Sequence, residues 1–325
     1  MPTEKTEVLV VGAGQAGLAI SDHLTRAGVP HLVLERNRIA ERWRSERWDS
    51  LVANGPAWHD RYPGLEFPGF GPDEFVPKEA IADAFVDFAK NNHLPVRTGV
   101  DVKSVRKNDG GRGFTVETSE GTIAANFVVA ATGPFQKPAY PAIVPENAGI
   151  VQMHSTAYRN PSQLPEGAVL VVGGGSSGVQ IAEELLNAGR KVYLSVGPHD
   201  RPPRSYRGRD NVWWLGVLGL WDALTPPEGR EHVTIAVSGM DGGKTVDFRK
   251  LAARGMVLVG RTESFANGHV HFAPDVKHNV EQGDANYLSV LQAADAYIAR
   301  NGLDLPEEPE ARRVIPDPAC VTDPI

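Results

Sequence analysis

Apolar residues recur along this chain in two rhythms: short unbroken runs, and positions spaced three or four apart. The first run, Val8–Val11, leads into Gly12-Ala13-Gly14-Gln15-Ala16-Gly17. Apolar positions at Ala16, Ile20, Leu24 and Ala27 follow, with Gly28 beyond them. This predicts a buried strand, a glycine turn and a helix that ends near Ala27. Pro30 then restarts the chain into a second strand over His31–Glu35. Residues 37–75, rich in Arg, Trp, Pro and Gly, predict mostly loop. A helix over roughly 79–91 would bury Ile81, Ala84, Phe85 and Phe88. Three strand-like runs come next, Val100–Val105, Phe114–Thr118 and Thr122–Ala131, separated by Asn108-Asp109-Gly110-Gly111 and Ser119-Glu120-Gly121. They predict an antiparallel insertion whose last strand returns to a parallel sheet.

Residues 134–167 are punctuated by proline and predict a crossover. The opening pattern is then repeated. Val169–Val172 is a second buried run, Gly173-Gly174-Gly175-Ser176-Ser177-Gly178 a second turn, and Ile181, Ala182, Leu185 and Leu186 line a second helix that Gly189 ends. Lys191–Val196 is the strand after it. A helix near 285–300 carries Leu288, Leu291, Ala294 and Ile298, and the proline-rich remainder predicts an extended tail. Two copies of a strand–glycine turn–helix–strand unit imply an α/β protein with two Rossmann-like dinucleotide-binding domains, the first interrupted by the antiparallel insertion. The boundaries expected are 1–160, 161–305 and a tail of 306–325.

Composition narrows the function. The 325 residues are 41% hydrophobic and 22% charged, and suffice for two ordinary domains. A net charge of -7 argues against a general electrostatic hold on nucleic acid or anionic lipid, so anions must be bound locally, by loops and helix ends. The single cysteine, Cys320, excludes an internal disulfide and a redox-active cysteine pair. No secretory signal is visible, and the aromatic-apolar run Val212–Trp221 is well short of the roughly 20 residues that span a bilayer. A cytoplasmic protein is expected. Trp213, Trp214 and Trp221 could line an apolar pocket or belong to a core or interface. Oligomeric state stays open, a homodimer included.

The glycine turns carry the chemistry. The first glycine of each makes a tight turn, the second lets a pyrophosphate approach bare backbone, and the third lets helix and strand pack closely. The helix N-terminus adds partial positive charge. In the first copy Glu35 closes the second strand, where a carboxylate takes both ribose hydroxyls and repels a 2′-phosphate. In the second copy the matching position is taken as Ser195, with His199, Arg201, Arg204 and Arg207 downstream. A missing acid with guanidinium groups nearby favours the 2′-phosphate of NADPH. The alternative for any one of these arginines is a solvated loop.

With both motifs in this order, Ala131-Thr132-Gly133 at a strand end between them, and Glu35-Arg36 followed by Glu41-Arg42-Trp43-Arg44, the sequence resembles the flavin-dependent monooxygenases of the flavin-containing and Baeyer–Villiger type, from about Glu7 to about Ile325. The resemblance implies FAD at the first site and NADPH at the second. Gly12, Gly14, Gln15, Ala16, Gly17, Glu35 and Arg36 would hold FAD together with Ala131, Thr132 and Gly133. Trp43 and Arg44 would lie along the flavin or its pyrophosphate, Trp43 being equally readable as a core aromatic, and Val102 would meet the adenine. Gly173, Gly175, Ser176, Ser177 and Gly178 would receive the NADPH pyrophosphate. Asn54 resembles an asparagine that some of these enzymes place beside the flavin C4a-hydroperoxide, though Asn54-Gly55-Pro56 is also ordinary turn chemistry. His154 and Tyr158 match half of the family's linker fingerprint, whose Phe and Gly positions hold Ala148 and Ile150; His154 would gate NADPH or orient backbone.

The implied activity is hydride transfer from NADPH to FAD, then delivery of one atom of molecular oxygen to a small organic substrate through the peroxyflavin. No metal site is expected, and neither nucleic acid nor membrane is an expected partner. Relatives usually return to the first domain with a further strand, and this sequence stops at about that point, so a truncated or incomplete flavin site is part of the expectation. Two alternatives stand beside the monooxygenase: an NADPH-dependent flavin reductase or oxidase, and a non-catalytic nucleotide-binding redox module.

Overall fold

The computed structural model describes residues 3–224 and 233–325. The chain forms two compact units: one of residues 1–51, 56–139 and 156–158, the other of residues 52–55, 140–155 and 159–325. Residues 140–155 and the four residues around Asn54 thus fall in the second unit, on the far side of the boundary expected near 160.

The first unit is built on β1 (Glu4–Val11), α1 (Gln15–Arg26), β2 (His31–Glu35), α2 (Glu41–Ser45), α3 (Lys78–Asn91), β3 (Val96–Thr98), β4 (Val102–Lys107), β5 (Phe114–Thr118) and β6 (Gly121–Ala130). Its six strands form one sheet in the order β3-β2-β1-β6-β5-β4. The predicted insertion is present: β4, β5 and β6 are antiparallel neighbours, and β6 runs parallel to β1 with Val8 opposite Phe127 and Val11 opposite Ala130. Val8, Leu9 and Val10 are all buried, as befits a strand with parallel neighbours on both sides. Leu9, Leu34, Val100, Val116, Ile123 and Ala125 make one core cluster. The α3 face of Ile81, Ala84, Phe85 and Phe88 is buried as the periodicity predicts, and Tyr62 packs on Phe85 and Phe88 at ring separations of 6.1 and 4.9 Å.

The inward face of α1 differs from the sequence reading. Gly17, Leu18, Ser21 and Asp22 are buried, whereas Ala16 and Ala27 are exposed. The helix meets the sheet at the one residue without a side chain, and the polar residues that follow bring their own partners. His31 Nδ1 lies 2.9 Å from the Val29 carbonyl, which assigns the proton there and makes Nε2 the acceptor for the Ser21 hydroxyl at 2.8 Å. Asp22 pairs with Arg26 at 2.9 Å.

The second unit starts with β7 (Val169–Val172), α4 (Ser176–Asn187) and β8 (Val192–Ser195), then the short strands β9 (His199–Asp200), β10 (Ser205–Tyr206) and β11 (Arg209–Asp210). Next come α5 (Asn211–Val217), β12 (Thr234–Ile235), α6 (Phe248–Ala253), β13 (Val257–Val259), the hairpin β14 (Thr262–Ala266) and β15 (His269–Phe272), α7 (Val276–Asn301) and α8 (Ala319–Thr322). Parallel strands β13-β8-β7 form the sheet. Helix α7 begins well before the predicted 285 because Val276, Asn279, Val280 and Gly283 continue its buried face. There Asn279 donates to the Val196 carbonyl at 2.9 Å, and Gly283 leaves room for the His199 ring.

The predicted extended tail is a correction. It folds back as a 3-10 turn over Pro309–Arg312 and as α8, with Val321 buried. Arg249 ties it down, bonding Asp317 at 2.8 Å and Asp284 of α7 at 2.5 Å. Of the three tryptophans, Trp214 is fully buried among Tyr206, Leu291, Ala294 and Ile298, with Nε1 donating to the Tyr206 carbonyl at 2.9 Å. Trp213 packs edge-on against it at 4.7 Å, and Trp221 is half-exposed. Trp214→Ala is expected to destabilise the second unit by about 3–5 kcal/mol, and Trp221→Ala by less than about 1 kcal/mol. Urea denaturation followed by fluorescence checks both values.

Candidate functional site

In the first unit the glycine turn joins β1 to α1. A Cβ on Gly17 would overlap the Gly12 carbonyl oxygen, so only glycine lets the helix start this close to the strand end. A Cβ on Gly14 would meet nothing within 4 Å, which leaves the N-terminus of α1 open, and no side chain caps it. Its first-turn N–H groups and the helix dipole therefore face a backbone cradle suited to an anion. Glu35 stands at the end of β2 with Oε2 accepting from the Ala13 N–H and Oε1 from the Asn37 N–H, both at 2.9 Å. A carboxylate has about four acceptor positions, so this one is pinned and still able to accept two hydroxyls.

The strand-end segment Ala131-Thr132-Gly133 lies against the same turn: the Ala131 N–H donates to Val11 at 2.9 Å, and a Cβ on Gly12 would come within 2.6 Å of the Ala131 carbonyl oxygen. Gln15, Ala16, Arg36, Thr132 and Gly133 are exposed around it. Trp43 is half-buried, with the Arg47 guanidinium 5.9 Å from its ring. Arg44 is engaged with Asp83 at 2.7 Å rather than facing the turn alone. Val102 is half-buried at the start of the edge strand β4, packed against the core cluster. Sequence reasoning assigned no role to Arg42 or Gln136. Arg42 donates to the Phe135 carbonyl at 2.6 Å and to Gln136 Oε1 at 3.1 Å, and Gln136 in turn donates to the Thr132 carbonyl, so α2 is stitched to the strand-end segment. Arg42 lay inside the quoted motif, whereas Gln136 carried no signal.

The second turn repeats the backbone and changes the chemistry. A Cβ on Gly178 would overlap the Gly173 carbonyl oxygen, as at Gly17, and no side chain caps α4. Gly173 and Ser177 are exposed, Gly175 lies against Thr234 at 3.2 Å from where its Cβ would be, and the Ser176 hydroxyl donates to the Ile235 carbonyl at 2.7 Å. Unlike the turn at Gly14, the glycine turn of α4 therefore has the Thr234–Ile235 segment packed against it, with the Ser176 hydroxyl committed to that segment.

The register of the second copy moves the ribose position. Val11 pairs with Leu34 and Val172 with Ser195. The Gly12 N–H donates to the Leu34 carbonyl at 2.7 Å, and the Gly173 N–H to the Ser195 carbonyl at 3.1 Å. Ser195 therefore matches Leu34, and the counterpart of Glu35 is Val196, a fully buried valine. Ser195 itself is buried, its hydroxyl donating to the Gly260 carbonyl at 2.9 Å and accepting from the Thr262 N–H at 3.0 Å. The arginines expected to await a phosphate are also placed otherwise. Arg201 is buried, pairs with Asp284 at 2.8 Å and stacks over Tyr287. Arg204 is buried against Asp210 at 2.5 Å. His199 is buried on Phe248, and desolvation pushes its pKa down, which keeps the ring neutral.

Asn54 belongs to this second unit. Its Oδ1 accepts from Gln180 Nε2 at 2.8 Å and its backbone carbonyl from Arg204 at 2.7 Å, so Arg204 and the otherwise unnoticed Gln180 hold the loop from two sides. His154 is half-buried; its N–H donates to the Tyr140 hydroxyl at 3.1 Å, and the two rings meet at 5.8 Å. Among the described residues no group of His, Cys, Asp and Glu is placed to hold a metal ion, and no helix is long and apolar enough to cross a membrane. Gly17→Ala is expected to force α1 away from the turn, with a lower melting temperature and loss of dinucleotide binding to the first unit, read by thermal denaturation and by absorbance of the purified protein.

Comparison with known proteins agrees with this geometry. The family model for an FAD binding domain matches residues 5–45, and that for pyridine nucleotide-disulphide oxidoreductases matches residues 63–207, although one cysteine cannot supply the dithiol of that name. An uncharacterized CzcO-like oxidoreductase of Geobacillus kaustophilus is 42% identical over 279 residues, covering 85% of this chain and 78% of that protein. The indole-3-pyruvate monooxygenase YUCCA1 of Oryza sativa subsp. japonica is 30% identical, covering 85% and 71%. The fold is similar to that of the solved flavin-containing monooxygenase of Stenotrophomonas maltophilia, with a TM-score of 0.55 at 19% identity over 90% of this chain and 99% of that one. The uncharacterized oxidoreductase CzcO of Bacillus subtilis is 33% identical over 220 residues, covering 67% of this chain and 62% of that protein. By sequence kinship over most of its length, and by its two dinucleotide turns, the chain belongs to the flavin-dependent monooxygenase family, a group of oxidoreductases that use FAD and NADPH.

Proposed function

We propose that the chain is an NADPH-dependent, FAD-containing monooxygenase acting on a small organic substrate. The observation that carries this reading is the first-unit cradle: an open, uncapped helix N-terminus beside a carboxylate that two backbone N–H groups hold in place. When bound, FAD and NADPH would supply hydride transfer and oxygen activation, with one atom of molecular oxygen entering the substrate and the other leaving as water.

The residues would divide the work as follows. Gly12, Gly14, Gln15, Ala16 and Gly17 receive the FAD pyrophosphate on backbone, and Glu35 accepts the ribose hydroxyls. Arg36, Trp43, Arg44, Val102 and Ala131–Gly133 border the same cofactor. Gly173, Gly175, Ser177 and Gly178 receive the NADPH pyrophosphate at the start of α4, where Ser176 contributes its N–H while its hydroxyl braces Ile235. Asn54 has its carbonyl oxygen occupied by Gln180, which leaves the amide N–H₂ as the group it can offer to a developing negative oxygen. His154, held through its backbone by Tyr140, orients the linker.

Rapid mixing of NADPH-reduced, FAD-reconstituted protein with oxygen tests the reading. A lasting absorbing species distinct from oxidised and reduced flavin, with oxygenated product matching NADPH consumed, is the expected result. Immediate reoxidation with stoichiometric hydrogen peroxide for every organic substrate offered would make the chain a reductase or oxidase instead. Glu35→Ala is expected to weaken FAD binding roughly 10- to 100-fold through loss of charged hydrogen bonds, with Glu35→Gln between it and the native protein. Fluorescence titration of the apoprotein measures the series.

A further inference from the structure

The second glycine of a dinucleotide turn lacks a side chain so that a pyrophosphate can reach its backbone. The volume that a Cβ would take there is volume that the phosphates need. At Gly14 it is open, since a Cβ would meet nothing within 4 Å. At Gly175 it is filled. A Cβ there would lie 3.2 Å from Cβ, 3.5 Å from Oγ1 and 3.6 Å from Cγ2 of Thr234. The Thr234 side chain thus packs on the bare backbone of the second turn, with no room for a phosphate group between them.

The segment that carries Thr234 is fastened by polar contacts, all of them inside the second unit. Strand β12 runs parallel to β9, with Thr234 beside His199 and Ile235 beside Asp200, and the Ala236 N–H donates to the Asp200 carbonyl at 2.8 Å. The Ser176 hydroxyl donates to the Ile235 carbonyl at 2.7 Å and accepts from the Val237 N–H at 3.3 Å. Gln180, one turn further along α4, donates to the Val237 carbonyl at 2.8 Å through the same Nε2 that holds Asn54. The attachment is shallow. Of residues 234–237 only Ala236 is buried, and Ile235 is 51% exposed. Lifting Thr234 and Ile235 off the turn therefore gives up hydrogen bonds that water can replace and little apolar burial.

We propose that residues 234–237 form an autoinhibitory strap, which holds the pyrophosphate place of the second glycine turn and must lift for NADPH to bind. The inference rests on the second unit being the NADPH-binding half. Ser176 is the latch, because it serves both sides of the exchange. Its hydroxyl secures the strap, while its N–H is among the first-turn donors of α4 that a phosphate takes. Strap and pyrophosphate compete for one place, so the apparent affinity for NADPH falls with the fraction of molecules whose strap is lifted. The open position at Gly14 imposes no such competition on the first turn.

Hydrogen exchange of the full, flavin-loaded chain, read by mass spectrometry with and without NADP+, tests the strap without relying on turnover. The Ala236 and Val237 amides, which donate to Asp200 and Ser176, are expected to exchange several-fold faster once NADP+ is bound. In calorimetric titration Thr234→Gly should bind NADP+ roughly 3- to 10-fold more tightly than the native protein, because the closed contact loses one side chain. Ser176→Ala, which keeps the N–H and removes the latch, should shift the same way. Unchanged or slower exchange at Ala236 and Val237 with NADP+ bound, or equal or weaker NADP+ binding by Thr234→Gly, overturns the strap and leaves the proposed function standing. Failure of the native protein and Thr234→Gly alike to bind NADP+ overturns NADPH as the ligand of the second turn, and the strap with it.

Discussion

Each half of this protein depends on one close approach, the backbone of a helix start laid on the backbone of a strand end. At Gly17 and again at Gly178 a single methyl group would collide with the carbonyl oxygen of the first glycine of the turn. That contact sets the angle at which α1 and α4 leave their sheets, and so aims an uncapped helix N-terminus along the edge where the next strand ends. At the same strand ends Val11 pairs with Leu34 and Val172 with Ser195, which places Glu35 and Val196 one residue beyond. Close packing of a glycine against backbone is worth little as contact energy; its importance is geometric, because nothing larger permits the arrangement.

The two halves then diverge in what surrounds the same turn. The first keeps its cradle open and stations a carboxylate beside it, held by backbone donors. The second replaces that carboxylate by a buried valine and lays Thr234 and Ile235 beside the turn. A shared scaffold with exchanged polar groups thus gives the two halves different local chemistry.

Much of this was legible in the sequence because period and glycine spacing are local properties. His31–Glu35, Val169–Val172 and the buried face of α3 match their predicted places, and the antiparallel insertion rejoins β1 as its pattern implied. What escaped was decided by contacts far apart in the chain. The start of α7 depends on Asn279 reaching Val196 and on Gly283 admitting His199, and the tail is ordered by Arg249 across 68 positions to Asp317. The inward face of α1 was misread because Ser21 and Asp22 are polar, and their partners His31 and Arg26 are what make burial affordable. Counting residues placed the ribose position at Ser195, one short of the register set by hydrogen bonding, and the arginines near it looked available because a sequence does not show Asp210 or Asp284 beside them. The β14–β15 hairpin had a readable signal in Asn267-Gly268, both at positive φ, as a tight two-residue turn demands.

The Asn54 loop has a consequence for the order of synthesis. Residues 52–55 belong to the second unit, yet they are made before most of the first, and their anchors Gln180 and Arg204 follow 126 and 150 residues later. At translation speeds of roughly 5–20 residues per second, this loop leaves the ribosome on the order of 10 s before its partners exist. The amide of Asn54 takes its final orientation only after α4 and the Arg204 segment have folded. A nascent chain interrupted in that interval would hold the Asn54 loop without either of its anchors.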